Sequence, residues 1–137
     1  MKLPSNIKSI SKFFSTFFLT KNIGGITLYP NIFLKIEIYE DLQNDKPNPK
    51  NLALLEHEKE HLKRQKEMEP IKFFIKYALS PRFRFREKMI ANKKSAVILR
   101  ENKIPFDSNL FAKYLSGPMY FWCVSYKEAK EELDKLI

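Results

Sequence analysis

Cysteine is almost missing from this 137-residue chain: Cys123 is the only one. No disulfide framework can form within a single chain, and no zinc site can be assembled from thiolates. Glycine is nearly as scarce, with three residues, which argues against long flexible linkers. Histidine is limited to His57 and His61, so imidazole chemistry is confined to one place. Long hydrophobic runs are lacking as well. The most apolar N-terminal stretch, Phe13, Phe14, Phe17, Phe18 and Leu19, is interrupted by Ser and Thr and bracketed by lysines. It is too short to span a bilayer. It has neither a long h-region nor an A-x-A-like cleavage site, so no signal peptide is expected.

Aromatic residues are plentiful, at 14% with twelve Phe. A chain of this length is one domain's worth and can bury a real core. Formal charge is +9 with a pI near 9.6. Such an excess can mark a nucleic-acid, membrane or acidic-protein partner. No nucleic-acid module signature is present, so the expectation is a lysine-rich, solvated surface and no membrane. Were nucleic acid bound, Lys72–Lys94 would be the contact surface.

Punctuation by proline and glycine divides the chain. Ile7, Ile10, Phe13, Phe14, Phe17 and Phe18 recur at helical spacing, which predicts an amphipathic N-terminal helix over residues 1–22. After Gly24-Gly25, "ITLYPNIFLKIEIY" reads as extended, with Pro30 separating a strand at Ile26–Tyr29 from a longer one at Ile32–Tyr39. A polar connector with two prolines follows. A first long helix is predicted from about Asn51 to Met68, a second in "PIKFFIKYAL" with Ile71, Phe74, Ile75 and Ala78 on one face, and a third from Ser80-Pro81 onward. The final helix opens at Ser125, with Glu128 in place for a capping box.

The chemistry sits on the first long helix, in His57-Glu58-Lys59-Glu60-His61, which fits H-E-x-x-H. Histidines at i and i+4 share one side of a helix and can share one Zn²⁺, with the Glu as general base. Position 58 lies four after Leu54, three after Leu55 and four before Leu62. Glu58 therefore stands in the middle of the face expected to be buried, and His61 borders it. Glu56, Lys59, Glu60, Lys63, Arg64 and Glu67 form the solvated side. An unpaired buried carboxylate is costly, so Glu58 calls for a reason that a merely charged helix does not give. A catalytic zinc takes three protein ligands. Glu87 is the single carboxylate between Glu69 and Glu101, which makes it the candidate third ligand. The competing reading for Glu87 is an ion pair, with Arg84 three residues before it.

In this order, "ITLYPNIFLK", the polar loop, "LLEHEKEHLKRQ", "PIKFFIKYAL" and "REKMIANKKSAVIL" resemble small zincin-like proteins of the gluzincin type found among phages and bacteria. The resemblance covers about residues 24–130. It implies a compact α+β, zincin-like domain over residues 23–137: a short antiparallel hairpin or sheet, the H-E-x-x-H helix, then several further helices. It implies His57, His61 and Glu87 as zinc ligands, Glu58 as base and Gln65 as a supporting residue. One departure stands out: Glu87 precedes Ala91 by four, whereas the commoner spacing of three selects Lys88. The resemblance further implies that the strand beside the site helix, Ile32–Tyr39, binds extended peptide.

The function expected is that of a zinc metallopeptidase, in the cytoplasm or associated with a virion. It would hydrolyse a peptide or protein substrate by a zinc-activated water, with Glu58 as general base. The alternatives are a zincin-like structural or binding protein without catalysis, and a basic nucleic-acid-associated protein. Tyr77, Tyr120, Arg82, Arg84 and Arg86 are possible oxyanion donors, with packing or surface charge the preferred reading for each.

Overall fold

The computed structural model describes residues 2–10, 24–120 and 122–136. It is a mixed α+β domain, as expected. Three strands, β1 (Ile7–Ile10), β2 (Gly25–Leu28) and β3 (Asn31–Lys35), lead into six helices. These are α1 (Ile36–Leu42), α2 (Pro49–Met68), α3 (Pro70–Leu79), α4 (Pro81–Glu101), α5 (Ser108–Ser116) and α6 (Tyr126–Asp134), with a 3₁₀ turn at Pro118–Tyr120 between the last two.

The sheet has the order β1-β3-β2, with β2 antiparallel and β1 parallel to β3. This corrects two expectations. Residues 7–10 form a strand and not the start of a helix, so the N-terminal segment contributes to the sheet. Phe13, Phe14, Phe17 and Phe18 lie outside the described residues. The long strand Ile32–Tyr39 also ends early, at Lys35, where α1 begins. Among the described residues its neighbours β1 and β2 are four residues each and pair with β3 no further than Lys35. Past that point no described strand lies alongside, and a helix satisfies its backbone groups internally. Ile38, Tyr39 and Leu42 then pack at helical spacing against Ile32, Leu34 and Leu55.

Prolines and caps open the helices where the sequence marks them. Asn48 accepts from the Lys50 amide before Pro49, and Ser80 accepts from the Phe83 amide before Pro81. Such caps satisfy amide groups that have no partner inside the helix. Ser125 caps α6 by accepting from the Glu128 amide, while the Glu128 carboxylate pairs with Arg82 instead of closing the box.

Helix α2 is the spine of the domain. One apolar cluster lies between it and the sheet, and a second joins α4, α5 and α6 around Phe85, Leu115 and Leu133. On α3 the expected inner face is turned outward. Phe73 is buried at 1% exposure, whereas Ile71 is 76% and Ile75 54% exposed. Phe73 instead meets Phe83 of α4 edge to face, with ring centroids 5.4 Å apart. The Glu69 hinge, at φ 70°, sets the rotation of α3 that makes this contact.

Candidate functional site

Helix α2 carries His57, Glu58, His61 and Gln65 on one buried side, all at 8% exposure or less. Strand β2 covers Glu58. Thr27 Oγ1 donates to Glu58 Oε2 at 2.6 Å and lies 3.1 Å from its carbonyl oxygen. Gln65 binds the same strand twice: its Oε1 accepts from the Tyr29 amide at 2.8 Å, and its Nε2 donates to the Thr27 carbonyl at 3.0 Å. The side-chain amide thus acts as a short piece of strand, tying β2 to α2. Gly25 keeps β2 close to β3, since a Cβ there would lie 2.8 Å from Leu34 Cδ2 and 3.2 Å from the Phe33 carbonyl oxygen.

Helix α4 runs antiparallel along α2 and supplies the other half of the site. Ser95 Oγ donates to the Ala53 carbonyl at 3.0 Å and lies 3.5 Å from His57 Nδ1. The two imidazoles meet with Nε2 atoms 3.2 Å apart. Lys88 Nζ lies 3.3 Å from His61 Nε2 and 4.7 Å above the centre of the Tyr120 ring. Glu87 faces elsewhere. Its carboxylate, fully buried, is held by Arg64 through Nη2 at 2.7 Å and Nε at 3.0 Å.

Two expectations are revised by these contacts. Glu87 is not brought to the histidines, because both of its oxygens are engaged by a guanidinium. Arg64 in turn leaves the solvated side to which its charge seemed to assign it, since it stands three residues after His61 on the same stripe. Position 88, one step on, points at the histidines because adjacent helical residues are turned by ~100°.

The electrostatics follow from burial. The His57 imidazole is pushed down to about 3 by desolvation, with the Lys88 ammonium adding to the effect. His61 is held well below its ordinary value by burial, then by Lys88 and His57. Burial raises the Glu58 carboxyl, and Lys88 and the Thr27 hydroxyl partly offset that rise. The Tyr120 phenol is raised by burial as well.

A cavity of about 530 Å³ opens over this cluster. Its floor is His57, Glu58, His61 and Lys88; its walls include β2 residues 25–28, Phe73, Phe74 and Tyr77 of α3, and Tyr114 and Tyr120. Of the possible oxyanion donors, Tyr77 and Tyr120 line the cavity, whereas Arg82 pairs with Glu128 and Arg84 donates to the Tyr77 and Ala78 carbonyls at the end of α3. Thr27 and Ser95 carry no sequence signal that would have singled them out.

The residues present were tested against the zinc expected here. The histidine pair suits it: nitrogens 3.2 Å apart match two tetrahedral ligands at ~2.0–2.1 Å from one ion. The third position does not. Among the described residues no group of three or more His, Cys, Asp or Glu is arranged to hold a metal, and the next side chain at the pair is a lysine. A dication ~4 Å from an ammonium is repelled by on the order of 8 kcal/mol at an effective dielectric near 20. With Lys88 where it lies, this donor set does not fit a resident zinc.

No protein-family model matches the chain, and comparisons with curated proteins and with solved structures likewise give no match.

Proposed function

We propose that the chain is a peptide-binding protein of zincin-like build, which receives an extended segment along β2 and over the cavity without a resident metal. The observation that carries this reading is the outward edge of β2. Register pairs Ile26 with Phe33 and Leu28 with Asn31, and the Lys35 amide bonds the Gly24 carbonyl. Antiparallel strands alternate bonded and outward-facing residues, so Gly25 and Thr27 direct their backbone groups away from β3. Gln65 takes the Thr27 carbonyl. Among the described residues nothing bonds the Gly25 amide and carbonyl or the Thr27 amide, which face an added strand beside a cavity that Gly25 and Thr27 help to line. The substrate edge is therefore β2, in place of the Ile32–Tyr39 strand expected from the sequence, because β3 is paired on both sides.

Main-chain bonds give such a complex its affinity, and alternate side chains give it selectivity. Here the alternate side chains enter a cavity walled by Phe73, Phe74 and Tyr77, which favours large apolar residues. The test is fluorescence anisotropy with labelled, extended peptides rich in Phe and Leu. Binding is expected, and N-methylation of alternate peptide amides is expected to abolish it. Equal binding by the N-methylated peptide overturns strand addition.

A second reading, a zinc peptidase, is favoured by the 3.2 Å approach of the two Nε2 atoms. A zinc ion would supply carbonyl polarisation and a water of lowered pKa; Glu58 is the base within reach, and Lys88 would have to withdraw. Zinc content of the purified chain decides this. About one zinc, lost in His61→Ala, together with peptide cleavage lost in Glu58→Gln, would establish the peptidase; a folded chain without metal dismisses it.

A further inference from the structure

We propose that the Lys88 ammonium is the resident cation of the His57–His61 pair and closes to divalent ions a metal seat that is otherwise built. This goes beyond peptide binding and does not depend on it. The inference starts from hydrogen-bond roles. Ser95 Oγ gives its one proton to the Ala53 carbonyl and can only accept at His57 Nδ1. The contact is long at 3.5 Å, and its sense is that of the Nδ1–H form of His57, which leaves a lone pair on Nε2. The facing Nε2 of His61, 3.2 Å away, lies 3.3 Å from the Lys88 ammonium, which has three protons and no lone pair to offer. His61 therefore accepts there. Two imidazole lone pairs converge in a buried place, and such an arrangement calls for a cation between or beside them. Lysine supplies it.

The rest of the surroundings keeps Lys88 in that place. Its ammonium lies over the Tyr120 ring face, a favourable seat for a cation, and close enough to Glu58 to hold that carboxyl down against burial. Glu87, the neighbouring carboxylate, is unable to take over because Arg64 binds both of its oxygens. The backbone of α4 therefore presents Ser95 to the Nδ1 side of His57 and position 88 to the Nε2 side of the pair. A carboxylate at that one position would complete a two-histidine, one-carboxylate set, the composition of a catalytic zinc site.

The experiment uses the full chain and its Lys88→Glu variant, each titrated with Zn²⁺ by calorimetry and with Co²⁺ by visible absorption. The parent is expected to bind neither ion stoichiometrically at micromolar concentration. Lys88→Glu is expected to bind one ion at least ~100-fold more tightly, from loss of the repulsion and gain of a ligand. Adding His61→Ala should remove that gain. Lys88→Met, which deletes the charge without adding a ligand, is read alongside in case the carboxylate variant fails to fold; it should bind Co²⁺ more tightly than the parent. A parent that holds one zinc tightly and loses it in Lys88→Met overturns the proposal, because Lys88 is then a ligand. A folded Lys88→Glu or Lys88→Met with no gain over the parent overturns it too, because the histidine pair is then no metal seat. The first result also removes the metal-free part of the proposed function; neither touches strand addition at β2, which is read by anisotropy.

Discussion

Arg64→Met is the most searching single perturbation of this architecture. Glu87 is fully buried, and its two oxygens are held by Arg64 at 2.7 and 3.0 Å. Removing the guanidinium strands a carboxylate in the interior, a change that costs ~3–5 kcal/mol where it has been measured. The expected loss is about 3–4 kcal/mol at pH 7, toward the lower end because the Arg64 side chain is 30% exposed and water can reach the gap it leaves. With a urea slope of ~1.5 kcal/mol/M, the midpoint falls by roughly 2 M at pH 7. The reverse change, Glu87→Met, should be milder, since the Arg64 side chain is 30% exposed and can turn to water. Arg64→Met combined with Glu87→Met should recover most of the stability. A loss under 1 kcal/mol for Arg64→Met at pH 7 would refute the assignment of Glu87 to Arg64 and reopen it as a metal ligand.

Two further outcomes follow from the same contacts. Gln65→Ala removes both bonds that tie β2 to α2 and should cost about 2 kcal/mol; hydrogen exchange at the Tyr29 amide should quicken, and an unchanged rate would count against the clamp. Stability should also fall in mild acid. An unfolded histidine takes up a proton below about 6.5, whereas folded His57 refuses it down to about 3. The unfolded state then binds more protons, so stability drops as pH falls, by about 1.4 kcal/mol per unit for His57 alone. At pH 5 that is roughly 2 kcal/mol, and His61, shifted the same way, adds to it. Glu58, raised by burial, acts oppositely above the ordinary carboxyl range, where the folded state keeps a proton that the unfolded state has lost. Urea midpoints at pH 7 and pH 5 decide it; His57→Gln should flatten the slope.

The helices were legible where local chemistry fixes them. Pro70 and Pro81 stand at the first helical position, with Ser80 as a cap, and such signals depend on a few neighbouring residues only; α2 opens two residues before the expected Asn51, at Pro49, with Asn48 as its cap. Glu58 was legible as a misfit, a carboxylate at the centre of a leucine-spaced stripe, and it is buried as that spacing requires. What sequence could not give were the decisions made by partners distant in the chain. Ile36–Tyr39 alternates like a strand, yet no strand among the described residues reaches it. Ile71 and Ile75 have the spacing of a core face, yet the angle of α3 against α4 buries Phe73 instead. Thr27 and Ser95 are ordinary polar residues until the fold sets one against Glu58 and the other against His57.

Glu87 teaches the sharper lesson, because the information was in the chain and chemistry outweighed it. A zinc needs a third ligand and Glu87 is the one carboxylate between Glu69 and Glu101, although the spacing to Ala91 that the resemblance implies selects Lys88. Helix α2 offers a stripe of His57, His61 and Arg64, at intervals of four and three. The antiparallel α4 answers with Ser95, Lys88 and Glu87 in reverse order. Hydroxyl meets imidazole, ammonium meets imidazole, and carboxylate meets guanidinium. Shifting the register by one turn would set like charges together and leave buried groups unpaired, at a cost of several kcal/mol. The same ladder that fixes how α2 packs on α4 therefore also engages Glu87 with Arg64 and delivers a cation to the histidines. The packing of α4 on α2 and the place of Lys88 have one cause.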